Sequence, residues 1–530
     1  MPPLLAVRSL LITVALSALS LGLAPTAHAQ PTACAVDEAS VVELQAAMTE
    51  GRCSARQITE AYLARIEALD RSGPTLRSVL AVNSDALALA DALDAERVAG
   101  TVRGPLHGIP VLLKDNVGTA DRMPTTAGAL ALDGVIAPAD AFIVERLRAA
   151  GAVVLGKTNL SEWANFRSTN SSSGWSALGG QTKNPYVLDR SPCGSSAGTG
   201  AAIAASLAAV GVGTETDGSV VCPSSANGLV GIKPTVGLVS RAGIIPLSHS
   251  QDTAGPMART VADAAALLSA MAGADPADTT TAAAAPHRAA DYTAFLDATG
   301  LEGARLGVLR ASHFGDSPDT DRIAGEAVEA MRAAGAVIVD SLGLPGGYRG
   351  DEFTVLLYDF KHDLDAYLAA HPTAPVRSLA DVIAFNEAHA EASMPWFGQE
   401  LLEMAQAKGP LTDSTYQRAL ARSRGRARAG IDSLMDAHDL DALVAPTGSP
   451  AWPIDLVNGD HFITSSSQPA AVSGYPNVTV PAGLVHGLPV GVSFIGRRWS
   501  EPVLIRLAYA YEQATRHRAP PRYLPTLPDE

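Results

Sequence analysis

Basic residues are scarce in this 530-residue chain, and so are charged residues as a whole. Lys and Arg number 39 against 54 Asp and Glu, which gives a net charge of −15 at pH 7. So acidic a chain lacks the basic surface that a phosphate backbone requires, which argues against a nucleic acid partner. Charged residues make up only 18% and hydrophobic residues 47%, so the composition excludes a disordered chain. The 47 Gly and 35 Pro follow no three-residue period, which excludes collagen.

Long hydrophobic runs are missing apart from one near the N-terminus. Arg8 precedes an apolar stretch over residues 9–23, and residues 27–29 (Ala-His-Ala) have the pattern of a cleavage site. We interpret residues 1–29 as a secretory signal peptide rather than a membrane anchor, because the stretch is short for the roughly 20 residues of a span. Residues 30–530 are then expected to be exported, periplasmic or secreted, with no membrane contact after cleavage.

Cysteine is also rare, with four residues at positions 34, 53, 193 and 222. Export permits disulfides, and Cys34 and Cys53 lie close enough along the chain for a bridge. Four cysteines allow three pairings, and the sequence does not choose among them. None has C-x-x-C spacing, which argues against a zinc cluster.

The hydrophobic pattern alternates between helices and short buried strands, as in an α/β protein. Length alone would allow three or four domains or one large one. The pattern predicts helices within 37–70 and 84–99, over 141–150, 197–210 and 319–334, and through most of 351–438. It predicts strands over 108–114, 151–155, 210–213, 305–309, 336–339, 442–445 and 490–495, a loop over 161–192 and a surface linker over 274–289.

Two literal catalytic patterns fail on their context. Residues 151–158 fit the P-loop expression, but the Ala-Val-Val-Leu spacer predicts a strand instead of a loop with exposed N–H groups. Residues 194–198 fit G-x-S-x-G, with Ser196 as its serine. The nucleophile elbow of an α/β-hydrolase requires an apolar strand directly before it, and Pro192 stands there instead.

Lysine is rare, and four of the six lysines lie between positions 114 and 233. Lys114 ends an apolar strand, where burial would lower its pKa and let it act as a base. Taken alone, Lys114 is better explained as a side chain that extends to solvent from the end of a strand. Ser195 lies in a Gly/Ser-rich turn before a small-residue helix, and Ser219 in a tight loop after a strand. Such a loop can direct successive N–H groups at one point, as an oxyanion hole requires, although either serine could instead be a helix N-cap.

A series of ordered motifs resembles the amidase signature family of serine hydrolases. The resemblance covers most of residues 37–516 and is weakest over 275–440. The matching motifs are Gly108-Ile-Pro-Val-Leu-Leu-Lys-Asp-Asn116, Leu155-Gly-Lys-Thr-Asn159, Cys193-Gly-Ser-Ser-Ala-Gly198, Thr214-Glu-Thr-Asp-Gly-Ser219, Gly231-Ile-Lys-Pro-Thr235, Asp252-Thr-Ala-Gly-Pro256, Gly474-Tyr-Pro-Asn-Val-Thr-Val-Pro481 and Gly487-Leu-Pro-Val-Gly491.

The resemblance implies a Ser-cisSer-Lys triad that needs neither a metal nor a cofactor. The family's lysine falls on Lys114, its bridging serine, held on a cis peptide bond, on Ser195, and its nucleophile on Ser219. The oxyanion hole would consist of the backbone N–H groups of Thr216, Asp217, Gly218 and Ser219.

This chain departs from the family pattern around the nucleophile. Relatives often carry Asp-x-Gly-Gly-Ser-x-Arg, whereas Glu215, Asp217 and Val221 stand at the acid, first-glycine and arginine positions here. The acid–arginine pair that braces the loop in relatives therefore cannot be carried over. Glu-Thr-Asp-Gly-Ser with Cys222-Pro223, together with export, resembles the bacterial peptide amidases, which remove the terminal amide of amidated peptides.

We therefore expect one large α/β domain over residues 30–530, with a central mixed, mostly parallel sheet covered by helices on both faces. The expected activity is release of ammonia from C-terminal carboxamides of peptides or amino-acid amides through an acyl-enzyme. Residues 345–440 are expected to be a variable, mostly helical specificity region. Within it, residues 348–408 would shape the acyl cleft, while loops 168–180 and 218–225 would wall the leaving-group side. The alternatives are a broad aliphatic or aryl amidase and, from another class, a non-catalytic exported binding protein. The oligomeric state is not indicated.

Overall fold

An eleven-stranded sheet runs through the protein, whose computed structural model describes residues 34–528. The predicted signal peptide lies outside the described residues. The strands are β1 (Val79–Val82), β2 (Pro110–Lys114), β3 (Val153–Thr158), the short ribbon β4 (Trp175–Ser176) and β5 (Gly180–Gln181), β6 (Val210–Glu215), β7 (Val230–Lys233), β8 (Thr253–Ala258), β9 (Arg305–Val308), β10 (Val337–Val339), β11 (Ala442–Pro446), β12 (Asn477–Val485) and β13 (Leu488–Ile495).

The sheet is mixed, with the order β1-β3-β2-β6-β8-β7-β12-β13-β11-β9-β10. Strands β3, β2 and β6 are parallel to one another, and so are β11, β9 and β10. The other six pairings are antiparallel. The α/β fold class with a mixed sheet is confirmed, but antiparallel pairings outnumber parallel ones. The expectation of a mostly parallel sheet is wrong, because the sequence pattern does not indicate β7, β8 and β12, and all pairings of these three strands are antiparallel.

The central strands are buried on both faces, which is why they read as continuous apolar or small-residue runs. Every residue of β2, β3, β6 and β8 is buried. The flanking helices are α1 (Val41–Thr49), α2 (Ala55–Arg65) with a π-helical extension (Ile66–Arg71), α3 (Ala86–Val98), α4 (Phe142–Ala149), α5 (Ala197–Ala204), α6 (Val221–Ala226), α7 (Val261–Met271), α8 (Arg310–His313), α9 (Pro318–Ala333), α10 (Arg349–Ala369), α11 (Leu379–Ala388), α12 (Ala390–Ser393), α13 (Glu400–Gln406), α14 (Ser414–His438), α15 (Gln468–Ser473) and α16 (Glu501–Thr515).

Most predicted elements are present, and the predicted surface linker is a largely exposed segment with some regular structure. Residues 274–289 contain a short 3-10 helix, Thr279–Ala284. The Ser240 hydroxyl donates a hydrogen bond to Asp275 (2.6 Å), and the Arg241 guanidinium binds Asp278 through two N–H groups (2.8 Å each). The segment lies at the surface, as predicted, but it is not loose, because the buried carboxylates of Asp275 and Asp278 anchor it to the loop after β7. The helix expected over 197–210 ends at Ala204, so residues 205–209 form the connection to β6.

The four cysteines form two disulfides, Cys34–Cys53 and Cys193–Cys222. The first closes a loop at the start of the described chain, and the second joins the turn before α5 to the first turn of α6. Within residues 34–528, no helix combines the length and the apolar character that a membrane crossing requires.

Candidate active site

Lys114 lies at the end of β2, beside the parallel strand β6, and its ammonium group meets a serine there. Lys114 Nζ is 2.8 Å from Ser195 Oγ, 2.9 Å from Thr214 Oγ1 and 3.1 Å from the carbonyl oxygen of Thr214. The lysine is fully buried. Burial lowers its pKa to about 7, while the nearby carboxylates of Asp252 and Glu215 act in the opposite direction. A substantial fraction of this amine is therefore neutral near pH 7 and able to accept a proton from Ser195.

The other lysines of the predicted region have structural partners instead. Lys157 Nζ donates to the carbonyl oxygen of Val117 (2.6 Å) and to Thr125 Oγ1 (2.9 Å). Lys233 Nζ donates to the carbonyl oxygen of Tyr475 (2.7 Å). Because Lys157 belongs to the fully buried strand β3, residues 151–158 form no phosphate-binding loop.

Ser195 follows Gly194 through a cis peptide bond, immediately before α5. Its carbonyl oxygen accepts a hydrogen bond from the N–H of Ser161 (3.0 Å). The next serine, Ser196, is fully buried, and its hydroxyl bonds the backbone of Thr214, accepting from the N–H (3.2 Å) and donating to the carbonyl (3.1 Å). Ser196 therefore has no access to a substrate, which argues against the nucleophile-elbow interpretation.

The loop between β6 and α6, residues 216–220, carries Ser219 and the predicted oxyanion donors, and we call it the oxyanion loop. Glu215 Oε2 accepts hydrogen bonds from the N–H groups of Val220 (2.8 Å) and Val221 (3.0 Å). In this chain Glu215 thus braces the loop through backbone donors, without the arginine that relatives use. Thr216 Oγ1 donates to Asp252 (2.6 Å), and Gly218 has φ +81°, a left-handed conformation that favours glycine.

Both Ser195 and Ser219 line one open cleft of about 720 Å³. The Cys193–Cys222 disulfide forms part of its wall, and so do the three oxyanion-loop residues before Ser219. The structure thus places Ser195 and Ser219 on the same cleft. Lys114, more than a hundred positions before Ser219 in the chain, lies buried behind Ser195. The cleft also receives residues from both predicted loops: Ser168, Thr169, Ser171 and Ser173 from the first, and Gly218, Ser219 and Cys222 from the second.

The outer wall of the cleft differs from the sequence-based expectation. Of the predicted segment 348–408, only Arg349 and Leu356 line the cleft. A larger share comes from the irregular segment 452–468, which contributes Trp452, Asn458, Asp460, Phe462, Ile463, Thr464, Ser465, Ser467 and Gln468. Two signals could have indicated this segment: it joins β11 to α15 by more than twenty residues, and it holds aromatic residues among Asp, Asn and Ser. Long loops of this kind are usually functional.

One side-chain group among the described residues has metal-ligand character, and it lies outside the cleft wall. His249, His362 and Asp363 hold ligand-type atoms within 4.8 Å of one another. Asp363 is 2.9 Å from Nδ1 of each imidazole, so hydrogen bonds account for this grouping. None of the three residues lines the cleft that contains Ser195 and Ser219.

Comparison with known proteins gives matches over nearly the whole described chain. A family model described as Amidase matches residues 57–505. A probable amidase of Arabidopsis thaliana is 43% identical over 500 residues, covering 92% of each chain. One subunit of the glutamyl-tRNA(Gln) amidotransferase of Chloroflexus aurantiacus is 36% identical over 507 residues, covering 91% of this chain and 98% of the relative.

Solved structures are similar over the same extent. The native peptide amidase of Stenotrophomonas maltophilia is 55% identical, with a TM-score of 0.87, over 92% of this chain and 99% of that one. The peptide amidase PAM in complex with the competitive inhibitor chymostatin is 56% identical, with a TM-score of 0.88 and the same coverage.

Proposed function

This chain belongs to the amidase signature family and is an amide hydrolase, and from that premise we propose that it removes the C-terminal carboxamide of peptides or amino-acid amides. The observation that carries the proposal is the contact of buried Lys114 with Ser195 in a cleft that also holds Ser219. The similarity to peptide amidases at 55–56% identity over 92% of the chain supports the substrate class. The volume of the cleft, about 720 Å³, is within the range of sites that bind small-molecule ligands.

The proposed mechanism uses the three residues as one proton path. Neutral Lys114 accepts a proton from Ser195, which accepts one from Ser219, and Ser219 Oγ attacks the amide carbonyl. Backbone N–H groups of residues 216–219 stabilise the negative charge that forms on the carbonyl oxygen. The proton returns to the departing ammonia, and water then hydrolyses the acyl-enzyme by the same path in reverse.

We also propose that the protein works outside the cytosol. The two disulfides support this, since such bonds persist in oxidising compartments and are rare in the cytosol. Expression of the full chain in a bacterium, followed by periplasmic extraction and N-terminal sequencing, tests it. A mature N-terminus at Gln30 is expected, and an uncleaved cytosolic chain would contradict the proposal.

A substrate panel tests the activity. The purified enzyme is incubated with peptide amides, simple amides such as propionamide, and the corresponding peptides with a free carboxyl terminus, with Ser219→Ala as the matched control. We expect ammonia release from peptide amides and a mass increase of about one dalton with internal bonds intact, as acyl transfer to water requires. Internal fragments would indicate a protease, and turnover of simple amides alone a broad amidase. If no substrate turns over and no covalent fluorophosphonate adduct forms, the proposed serine mechanism and substrate class are refuted.

A further inference from the structure

The side chain of Asp217 faces the cleft within the oxyanion loop and has no cationic partner. It is partly exposed at the cleft wall, and the hydroxyl of Ser467, just before α15, donates a hydrogen bond to its Oδ1 (2.5 Å). In the described part of the chain, no Lys or Arg forms an ion pair with it. A carboxylate at this place would set a negative charge next to the point where the tetrahedral intermediate develops its own.

A second carboxyl group, that of Glu352 on α10, adjoins Asp217. Glu352 is buried, and amide groups already occupy both of its oxygens: Gln251 Nε2 donates to Oε1 (2.9 Å) and Gln468 Nε2 to Oε2 (2.6 Å). The same Gln251 amide donates to the carbonyl oxygen of Thr216 (3.2 Å), and Gln468 directly follows Ser467, so these contacts place the Glu352 carboxyl beside that of Asp217, where each group affects the pKa of the other. Two carboxyl groups can share a hydrogen bond only if one of them carries a proton. Because amide donors hold both oxygens of Glu352, Glu352 is the better acceptor, and a proton shared by the pair would lie on Asp217.

The surrounding charges favour the same assignment. Burial, Glu352 and, more weakly, Glu215 raise the pKa of Asp217 well above its usual range, against the effect of the hydrogen bond from Ser467. Lys233 on β7 and Arg349 on α10 are the cations whose charges reach this pair, and neither forms an ion pair with it. Like-charged acids that share a site without a counter-ion retain one proton between them.

We propose that Asp217 works as a neutral carboxylic acid, donating its proton to Glu352 and accepting from Ser467, and that it is a positioning residue of the oxyanion loop. Its two hydrogen bonds tie the loop to α10 and to the start of α15, while its neutrality keeps negative charge away from the oxyanion. The oxyanion role rests on the proposed function. The protonation state does not depend on it.

Infrared difference spectroscopy on the full chain without substrate tests the protonation state. The spectrum of Asp217→Asn is subtracted from that of the wild type at pH 7. We expect the carbonyl band of a protonated carboxylic acid in the difference. Asp278→Asn is the control, because Arg241 lowers the pKa of Asp278 and its replacement should remove only a carboxylate band. Absence of the protonated-acid band from the Asp217 difference, in a folded variant, would overturn the proposal.

The pH profile of kcat/KM tests the positioning role with a second variant. Glu352→Gln removes the neighbouring negative charge, so Asp217 should ionise at a lower pH and the alkaline decline in rate should move to lower pH. Asp217→Asn cannot ionise, and its profile should lack this decline whatever its absolute rate. An alkaline limb that is identical in the wild type and both variants would refute the role. If instead peptide amides are not substrates, the infrared result still decides the protonation state, so the two failures are distinguishable.

Discussion

At the scale of single residues, the three side chains that we propose to share one proton path should respond unequally to removal. Ser219→Ala should abolish acylation, since it removes the attacking oxygen. Lys114→Ala should lower kcat by several powers of ten, because residues that act as a unit fail together. Ser195→Ala should retain more activity, since a water molecule can bridge Lys114 and Ser219. Steady-state kinetics and fluorophosphonate labelling measure all three.

Ser196→Ala is the matched control for this series. Ser196 is buried and bonded to the backbone of Thr214, so its loss should reduce stability but leave Ser219 reactive toward fluorophosphonate. Normal activity in Ser219→Ala together with an inactive, folded Ser196→Ala would establish Ser196 as the nucleophile and refute the proposed triad.

The pH dependence follows from the charge state of Lys114. Its pKa is about 7, and the neutral amine is the proposed working form, so the rate should rise with pH through this value, before the decline expected at higher pH from ionisation of Asp217. The carboxylate of Asp252 raises the pKa of Lys114, so Asp252→Asn should lower that pKa and move the acid limb to lower pH. The measurement is kcat/KM from pH 5 to 9.

Asp278→Asn controls for the removal of a carboxylate from the same region. Asp278 is bound to Arg241 and is not among the charges that act on Lys114, so this variant should leave the limb in place. An acid limb that stays at its wild-type position in Asp252→Asn would show that a group other than Lys114 titrates.

At the scale of elements, the oxyanion loop depends on one carboxylate. Glu215 holds the N–H groups of Val220 and Val221, and its loss would leave two buried donors unsatisfied, each at about 1–3 kcal/mol. Glu215→Ala should therefore lower kcat roughly 10- to 100-fold, less than the loss of an oxyanion donor outright, and should also lower the free energy of unfolding. Glu215→Gln retains one acceptor oxygen and should be milder. Kinetics on both variants above the acid limb, with denaturant titration, provide the test. Equal losses in the two variants would indicate that the charge, not the brace, matters.

Sequence patterns predicted the elements that carry the triad but not the middle of the sheet. Strand β8 contains Gly255 and Pro256, a composition that is depleted in strands, and it was missed together with β7. The structure supplies the reason for the glycine: a Cβ there would lie 2.2 Å from the carbonyl oxygen of Ile232. Only the packing of neighbouring strands, distant along the chain, makes such a segment a strand.

The candidate site also has a part that the sequence could indicate and a part that it could not. Lys114, Ser195 and Ser219 lie in local motifs, so a single sequence could indicate them. The proximity of Asp217 and Glu352, and the cleft wall around Trp452, bring together segments more than a hundred residues apart, so no local sequence pattern indicates them. The sequence shows that Glu215 replaces the aspartate of the family pattern. It does not show which groups Glu215 binds, because they are the backbone N–H groups of Val220 and Val221.

At the scale of the whole molecule, the two disulfides should separate stability from catalysis. Cys34–Cys53 closes a loop of 19 residues next to α1 and α2, outside the cleft wall, whereas Cys193–Cys222 forms part of that wall. In the chain-entropy account, closing a loop of this size contributes about 3 kcal/mol to the free energy of unfolding. The double variant Cys34→Ser/Cys53→Ser should lose about that amount and keep its kcat and KM at 25 °C.

The matched variant Cys193→Ser/Cys222→Ser should lose comparable stability and also change its kinetics. Its bridge joins the turn that holds Ser195 to the helix that follows Ser219, so its removal frees the two serines to move relative to each other. Since small misplacements of reacting groups cost large factors in rate, we expect at least a tenfold loss of kcat. Denaturant titration gives the free energy of unfolding of each variant, and steady-state kinetics give its kcat. If the Cys34–Cys53 variant loses activity as strongly as its counterpart, global destabilisation rather than the geometry of the cleft accounts for the effect.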